Sequence, residues 1–176
     1  QKIWQERGVA PRGIDREVVQ LMHCTTMGVD NDYRSIIAQG IRTALADGWG
    51  GSMIGTEVSD VLFSSPKPIR SRVNLGVLCD DEVNIVVHGH EPTLSEMLVV
   101  AAQDPELLAL ARDKGASGIN LAGICCTANE ILMRHGIPVA GNFLHQELAI
   151  LTGAGEAMVV DVQCVMPALA ELTSCY

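Results

Sequence analysis

Residues 118–130 read GINLAGICCTANE and mark the passage from a buried strand into a helix. The opening apolar run is short and ends at Ile124, which is typical of a strand. Thr127 and Glu130 have the spacing of a capping box, which predicts that a helix begins there. Between strand and helix lie Cys125 and Cys126. A strand followed directly by a helix indicates an α/β fold, with two adjacent thiols at the end of the strand.

The same alternation extends from about residue 83 onward. The predicted strands are 83–89, 118–124, 137–141 and 157–162, and the predicted helices begin at Pro92, Pro105, Thr127, Phe143 and Pro167. Strands that alternate with helices indicate a parallel sheet covered on both faces. We therefore predict an α/β fold for this part of the chain.

The first third of the chain has a helical pattern instead. Apolar residues between Ile14 and Met22 fall close to one helix face, and Asp30 is predicted to cap a second helix that ends at Asp47. The glycine-rich stretch DGWGGS (47–52) is predicted to be a loop, and 53–63 a third short helix. We therefore expect helices before the sheet.

Composition excludes several classes of partner. The chain has 176 residues, of which 48% are hydrophobic and 3% aromatic, and its formal net charge is -9. An acidic chain without basic runs argues against binding to nucleic acid or to anionic membrane surfaces. No apolar run reaches the ~18 residues of a membrane span. The start lacks a signal-peptide pattern and an initiating Met, so we expect a piece of a longer cytoplasmic chain.

The six cysteines are predicted to be reduced thiols in a cytosolic setting, since the chain is not a small secreted scaffold. Cys24, Cys79 and Cys175 are interpreted as small buried hydrophobes. The others follow predicted strands. They are accompanied there by two histidines, so that the strand ends carry His88, His90, Cys125, Cys126 and Cys164.

This set predicts a metal site. The carboxyl ends of parallel strands meet at one edge of the sheet, where ligands bind. Two or three thiolates with an imidazole suit zinc or an iron–sulfur site. In zinc fingers, which hold a single ion, the ligands come in pairs close together in sequence. Here each strand end supplies one ligand, about 35 residues from the next, and this wide spacing suits a cluster better than a single ion. GAGEAM (153–158) precedes a strand instead of following one, which argues against a dinucleotide site.

Several long segments together closely resemble the catalytic subunit of nickel–iron carbon monoxide dehydrogenase. They are VNIVVHGHEPTLSEM (83–97), GINLAGICCTANEILMRHGIP (118–138), VVDVQCVMPAL (159–169), PRGIDREVVQLMH (11–23) and QGIRTALADGWGGSMI (39–54). The resemblance implies that 1–66 form the C-terminal part of an all-helical domain and 67–176 an incomplete Rossmann-like middle domain with flanking helices.

The resemblance also implies a cofactor and its ligands. The family's active site is a nickel–iron–sulfur cluster of the Ni-4Fe-4S type with one outlying iron. By motif match, His90 and Cys126 would hold that iron and Cys164 an iron of the core. Because neighbouring residues at a strand end point to opposite sides, Cys125 would pack inward, away from the cluster. The remaining ligands, the acid/base groups and further [4Fe-4S] clusters are expected outside this span.

The implied activity is the reversible conversion of CO and water into CO₂, two protons and two electrons. The implied partners are a ferredoxin-like electron acceptor, a second copy in a homodimer and an acetyl-CoA synthase subunit. Two other readings stay open: a protein like the hybrid-cluster hydroxylamine reductases, and a non-catalytic α/β scaffold with buried cysteines.

Overall fold

The architecture is taken from a computed structural model, which describes residues 1–175. The chain divides into two compact units, Gln1–Leu62 and a second that begins at Phe63. The first is helical, and the second holds a four-stranded parallel sheet, which confirms the predicted α/β fold. Within residues 1–175, no helix is both long and apolar enough to cross a bilayer.

The helical unit contains four α-helices and a π-helical segment, and the last residue of its fourth helix, Phe63, begins the second unit. They are α1 (Lys2–Glu6), α2 (Ile14–Thr25), α3 (Tyr33–Asp47), the π-helical segment (Gly48–Ile54) and α4 (Gly55–Phe63). The cap of α3 is Asp32 and not Asp30, since the Asp32 side chain accepts a hydrogen bond from the Arg34 amide at 3.0 Å.

The prediction of a loop at 47–52 is wrong, because the chain stays helical there. A Cβ at Gly50 would lie 1.8 Å from Ile14 Cδ1 of α2. This glycine therefore permits close packing of a wide helical turn against α2, although glycine-rich stretches of this kind more often form turns.

A buried carboxylate ties α2 to α3. Glu17 is fully buried and accepts hydrogen bonds from Arg12 at 2.8–2.9 Å and from Gln39 Nε2 at 2.8 Å. Hydrogen bonds from Arg12 and Gln39 lower the pKa of Glu17 to about 2, against the opposing effect of burial. The buried charge is therefore paired with Arg12 and hydrogen-bonded within the unit.

The α/β unit alternates strands and helices as predicted. Its elements are a 3₁₀ turn (Leu75–Val77), β1 (Val83–Gly89), α5 (Pro92–Ala102), α6 (Pro105–Asp113), β2 (Ile119–Ile124), α7 (Cys125–His135), β3 (Val139–Gly141), a 3₁₀ turn (Phe143–His145), α8 (Gln146–Leu151), β4 (Ala157–Val160) and α9 (Pro167–Thr173).

Apolar side chains at successive positions of β1 face opposite sides of the sheet. Val86 packs with Ala149 of α8 on one side, and Val87 packs with Val99 of α5 and Ile131 of α7 on the other. The period of two along a strand produces this division. The sheet is therefore covered on both faces, as its apolar strands require.

The strand order is β3-β2-β1-β4. The chain moves from β1 outward to β2 and β3, and then returns to place β4 on the other side of β1. The reversal opens a crevice between the carboxyl ends of β1 and β4, which is where ligands bind in open α/β sheets.

Candidate metal centre

Two of the three predicted ligands meet in this crevice. His90 follows β1 and Cys164 follows β4, and His90 Nδ1 lies 3.7 Å from Cys164 Sγ. Cys164 is buried and His90 is half-buried. The third predicted ligand, Cys126, lies in the first turn of α7 with its side chain exposed. The structure thus brings His90 and Cys164 close together, whereas Cys126 lies on the solvent-facing side of α7.

Cys125 lies beside Cys164, so the prediction that it turns away is wrong. The ligand atoms of His88, Cys125 and Cys164 all lie within 4.8 Å of one another. Strand alternation, on which the prediction depended, ends at Ile124, because Cys125 has the left-handed backbone angle φ 68°. Its side chain also packs against the core on the α8 side of the sheet.

The helix that carries both cysteines begins earlier than its capping-box pattern predicts. Its first residue is Cys125, and its N-cap, Ile124, has no capping side chain. Thr127 is buried and donates from Oγ1 to the Gly89 carbonyl at 3.2 Å. This hydroxyl therefore joins the end of β1 to α7, a tertiary role that overrides its local capping tendency.

His88 is fully buried below the crevice. Its Nε2 lies 2.9 Å from Gln146 Oε1, while its Nδ1 has no hydrogen-bond partner among the described residues. The amide nitrogen of Gln146 donates to Glu147 Oε1 at 3.1 Å and contacts Met166 Sδ at 3.3 Å, so the amide oxygen is the atom that faces the imidazole. His88 therefore carries its hydrogen on Nε2 and a free lone pair on Nδ1.

Asp161 connects the two loops that border the crevice. Its Oδ1 accepts from the backbone amides of His90 at 2.5 Å and Glu91 at 3.1 Å, while its Oδ2 is buried without a partner among the described residues. At Gly89, with φ 156°, a Cβ would lie 1.8 Å from Asp161 Oδ1. Glycine at 89 therefore allows the carboxylate to approach the backbone of the β1 loop.

Hydrogen bonding also sets the orientation of His90. Its Nδ1 lies 3.2 Å from the Val162 carbonyl, which can only accept, so Nδ1 carries the hydrogen. The lone pair is then on Nε2, and this nitrogen is the one available to a metal.

Burial raises the pKa of both inner thiols. The pKa of Cys125 is raised to about 12, chiefly by burial and then by the neighbouring Cys164. The pKa of Cys164 is also raised, again chiefly by burial. Both are therefore thiols at neutral pH until a positive charge stabilises the thiolates.

Sequence reasoning included His88 and Cys125 in the strand-end donor set, but it assigned neither of them as a ligand and turned Cys125 away from the cluster. It did not single out Asp161. The signal for Asp161 is its position immediately after β4, beside the reversal of strand order. Of the cysteines interpreted as buried hydrophobes, Cys24 is buried, but Cys175 is exposed and Cys79 half-buried.

Comparison with known proteins gives one consistent result. The model of the Prismane/CO dehydrogenase family matches residues 1–176. Carbon monoxide dehydrogenase 1 of Methanosarcina acetivorans is 67% identical over 99% of this chain, and the beta subunit of carbon monoxide dehydrogenase/acetyl-CoA synthase of Moorella thermoacetica is 49% identical over 98%. The chain covers 28% of the length of the first relative and 25% of the second.

Solved structures agree. The Ni-free carbon monoxide dehydrogenase from Thermococcus sp. AM4 superposes with a TM-score of 0.94 at 55% identity, covering 99% of this chain and 28% of that one. A structure of acetyl-CoA synthase/carbon monoxide dehydrogenase, described as having NiZn[Fe4S4] and NiNi[Fe4S4] clusters in its alpha subunits, superposes with a TM-score of 0.90 at 49% identity, covering 98% of this chain and 25% of that one. The chain therefore belongs to the Prismane/CO dehydrogenase family.

Proposed function

We propose that the full-length protein is an anaerobic carbon monoxide dehydrogenase, which interconverts CO and water with CO₂, two protons and two electrons. The observation that carries this proposal is the 3.7 Å approach of His90 to Cys164, from positions 74 residues apart, at the crevice between β1 and β4. The names of relatives that are 67% and 45% identical to the chain favour this activity over hydroxylamine reduction.

The donor set fits a nickel–iron–sulfur cluster. Thiolates are the ligands of iron–sulfur clusters, and an imidazole is accepted at some of their irons. Cys164 Sγ and His90 Nε2 would hold the cluster from the crevice, and Cys126 Sγ from the first turn of α7. The cluster, when bound, supplies CO binding, activation of water and electron transfer.

The residues of this chain would position the metals and exclude water. Asp161 fixes the main chain at His90, and the Val162 carbonyl fixes its tautomer, so the imidazole is oriented before a metal arrives. The buried side of the crevice, at Cys164 and His88, would keep the surroundings of a bound cluster dry and of low dielectric. Such preorganisation reduces the reorganisation that accompanies the reaction.

The two units have separate parts in this proposal. Residues 1–66 would be the end of the helical domain, and the α/β unit most of the Rossmann-like middle domain. Further [4Fe-4S] clusters, the acid/base groups and the remaining cluster ligands would come from the rest of the protein. A ferredoxin-like acceptor, a homodimer and an acetyl-CoA synthase subunit are the proposed partners, with the cytoplasm as the compartment.

The test uses the anaerobically purified full-length protein. CO-dependent reduction of a viologen dye and the nickel and iron content are measured for the wild type, Cys126→Ala and Cys175→Ala. We expect Cys126→Ala to lose more than a hundredfold in activity and to lose metal. Cys175→Ala, which removes an exposed thiol outside the crevice, should retain both. A protein without iron or nickel, or a fully active Cys126→Ala variant, would contradict the proposal.

A further inference from the structure

Only one oxygen of the Asp161 carboxylate takes part in fixing the loop after β1. Oδ1 accepts the backbone amides of His90 at 2.5 Å and Glu91 at 3.1 Å, whereas Oδ2 is buried without a partner among the described residues. A neutral amide oxygen would accept the same two hydrogen bonds, and a buried oxygen without a partner costs free energy. Anchoring of the loop therefore does not explain why this side chain is charged.

The charge of Asp161 is not offset by a neighbouring cation. Within the described chain, no basic side chain forms an ion pair with Asp161. The adjacent acidic residue, Glu91, directs its own carboxylate to the amides of Thr93 and Leu94 at the start of α5. The loops after β1 and β4 therefore bring two acidic side chains to the crevice, and the charge of Asp161 is uncompensated there.

This charge lies close to a proposed cluster ligand. Cys164 donates its backbone amide to the Asp161 carbonyl at 3.1 Å, which closes a turn over residues 161–164. Such a turn keeps its first and last Cα atoms within about 7 Å of each other. The pKa of Cys164 is raised chiefly by burial, and the negative charge of Asp161 raises it further. Asp161 therefore hydrogen-bonds to the main chain of both His90 and Cys164.

We infer that Asp161 is a positioning residue with a second, electrostatic role, in which its uncompensated carboxylate lowers the reduction potential of the bound nickel–iron–sulfur cluster. Reduction adds negative charge to a cluster, and a fixed negative charge in surroundings of low dielectric disfavours that addition. The reduced cluster is thereby a stronger electron donor. This inference rests on the proposed function, because it concerns the cluster proposed there, and it adds a residue that binds no metal.

Substitution separates the electrostatic role of Asp161 from its anchoring role. Asp161→Asn keeps an oxygen for the two amides and removes the charge, whereas Asp161→Ala removes both. If the charge sets the potential, the two variants shift it by the same amount. If loosening of the loop sets the potential, Asp161→Ala shifts it far more than Asp161→Asn. Asp113→Asn is the matched control, because it removes an equal charge from an exposed position at the end of α6, where water and salt screen it.

The experiment uses the anaerobically purified full-length protein, reduced stepwise with dithionite and redox mediators and followed by electron paramagnetic resonance. The cluster signal is the one that Cys126→Ala lacks, and iron and nickel contents are measured for each variant. We expect the equilibrium in both Asp161 variants to favour the reduced cluster at least tenfold more than in the wild type, which raises the midpoint potential by about 59 mV or more for one electron. Asp113→Asn should leave this potential unchanged. Iron–sulfur signals that Cys126→Ala retains should keep their potentials in every variant.

An unchanged midpoint potential in Asp161→Asn, or a shift confined to Asp161→Ala, overturns the inference. Loss of the cluster from both Asp161 variants also overturns it, because the carboxylate would then be required for assembly of the cluster. A wild-type protein without nickel and without the cluster signal contradicts the proposed function. A wild type that holds the cluster, with a potential insensitive to the charge at residue 161, contradicts this inference alone.

Discussion

Replacement of Asp161 by Ala should loosen the loop after β1. The side chain accepts two backbone amides, those of His90 at 2.5 Å and Glu91 at 3.1 Å. A partly buried donor that loses its acceptor costs about 1–3 kcal/mol. Two such donors, each partly reachable by water, give an expected cost of about 2–4 kcal/mol for local opening. Asp161→Asn keeps an oxygen acceptor but loses the charge, and should cost about 1–2 kcal/mol.

Hydrogen exchange at the amides of His90 and Glu91 measures this cost directly. Since about 1.4 kcal/mol corresponds to a factor of ten, exchange in Asp161→Ala should be about 30-fold to several hundredfold faster than in the wild type, and in Asp161→Asn about fivefold to 30-fold faster. Asp113→Ala, which removes an exposed carboxylate at the end of α6, should leave these amides unchanged. Equal exchange in Asp161→Ala and the wild type, within a factor of two, would refute the reasoning that this carboxylate fixes the loop.

Three further predictions concern stability. Hydrogen bonds from Arg12 lower the folded-state pKa of Glu17 to about 2, so its stabilisation is present above about pH 4.5 and is lost as the pH falls toward 2. A tenfold change in proton affinity corresponds to about 1.4 kcal/mol, so the free energy of unfolding should fall by about 3 kcal/mol at most. Thermal unfolding measured between pH 5 and pH 2 should show this loss in the wild type and not in Glu17→Gln. Gln163→Gly should raise the free energy of unfolding by about 0.5–1 kcal/mol, because glycine adopts the left-handed φ of 71° without strain. The control Gln103→Gly, at a right-handed helical position, should lower the free energy of unfolding. Stabilisation by both substitutions would contradict the assignment of strain to Gln163. Gly123→Ala should lower the free energy of unfolding by about 2 kcal/mol or more, because the added Cβ would lie 2.5 Å from a side-chain carbon of α7. An unchanged midpoint of denaturant unfolding would disprove this contact.

The strands and their order of appearance could be predicted because the signals are local. A short run rich in β-branched residues gives β1 at Val83–Gly89 with the predicted bounds, and Pro92 and Pro105 begin their helices as expected. The convergence of His90 with Cys164 follows from the same reasoning, since parallel strands bring their carboxyl ends to one edge.

The errors lie where tertiary contacts override a local rule. DGWGGS (47–52) has the composition of a turn, yet the close approach of Gly50 to Ile14 keeps it helical. The orientation of the Cys125 side chain was predicted from strand alternation, which no longer applies at a residue with φ 68°. A periodic pattern carries no information about one residue in a left-handed conformation, so the orientation of this thiol could not be read from the sequence.

The strand order also has a consequence for how the protein folds. Pairing of β1 with β2 joins residues 36 positions apart, whereas contacts between β1 and the β4 segment span 72 positions. The longer chain segment makes the second closure slower, so we expect β4 to dock last, and pulse-labelling of its amides should show protection after those of β1 and β2. Asp161 and Cys164 arrive with β4, so the newly made chain should pass through a sheet-containing intermediate that has no crevice and cannot yet be metallated.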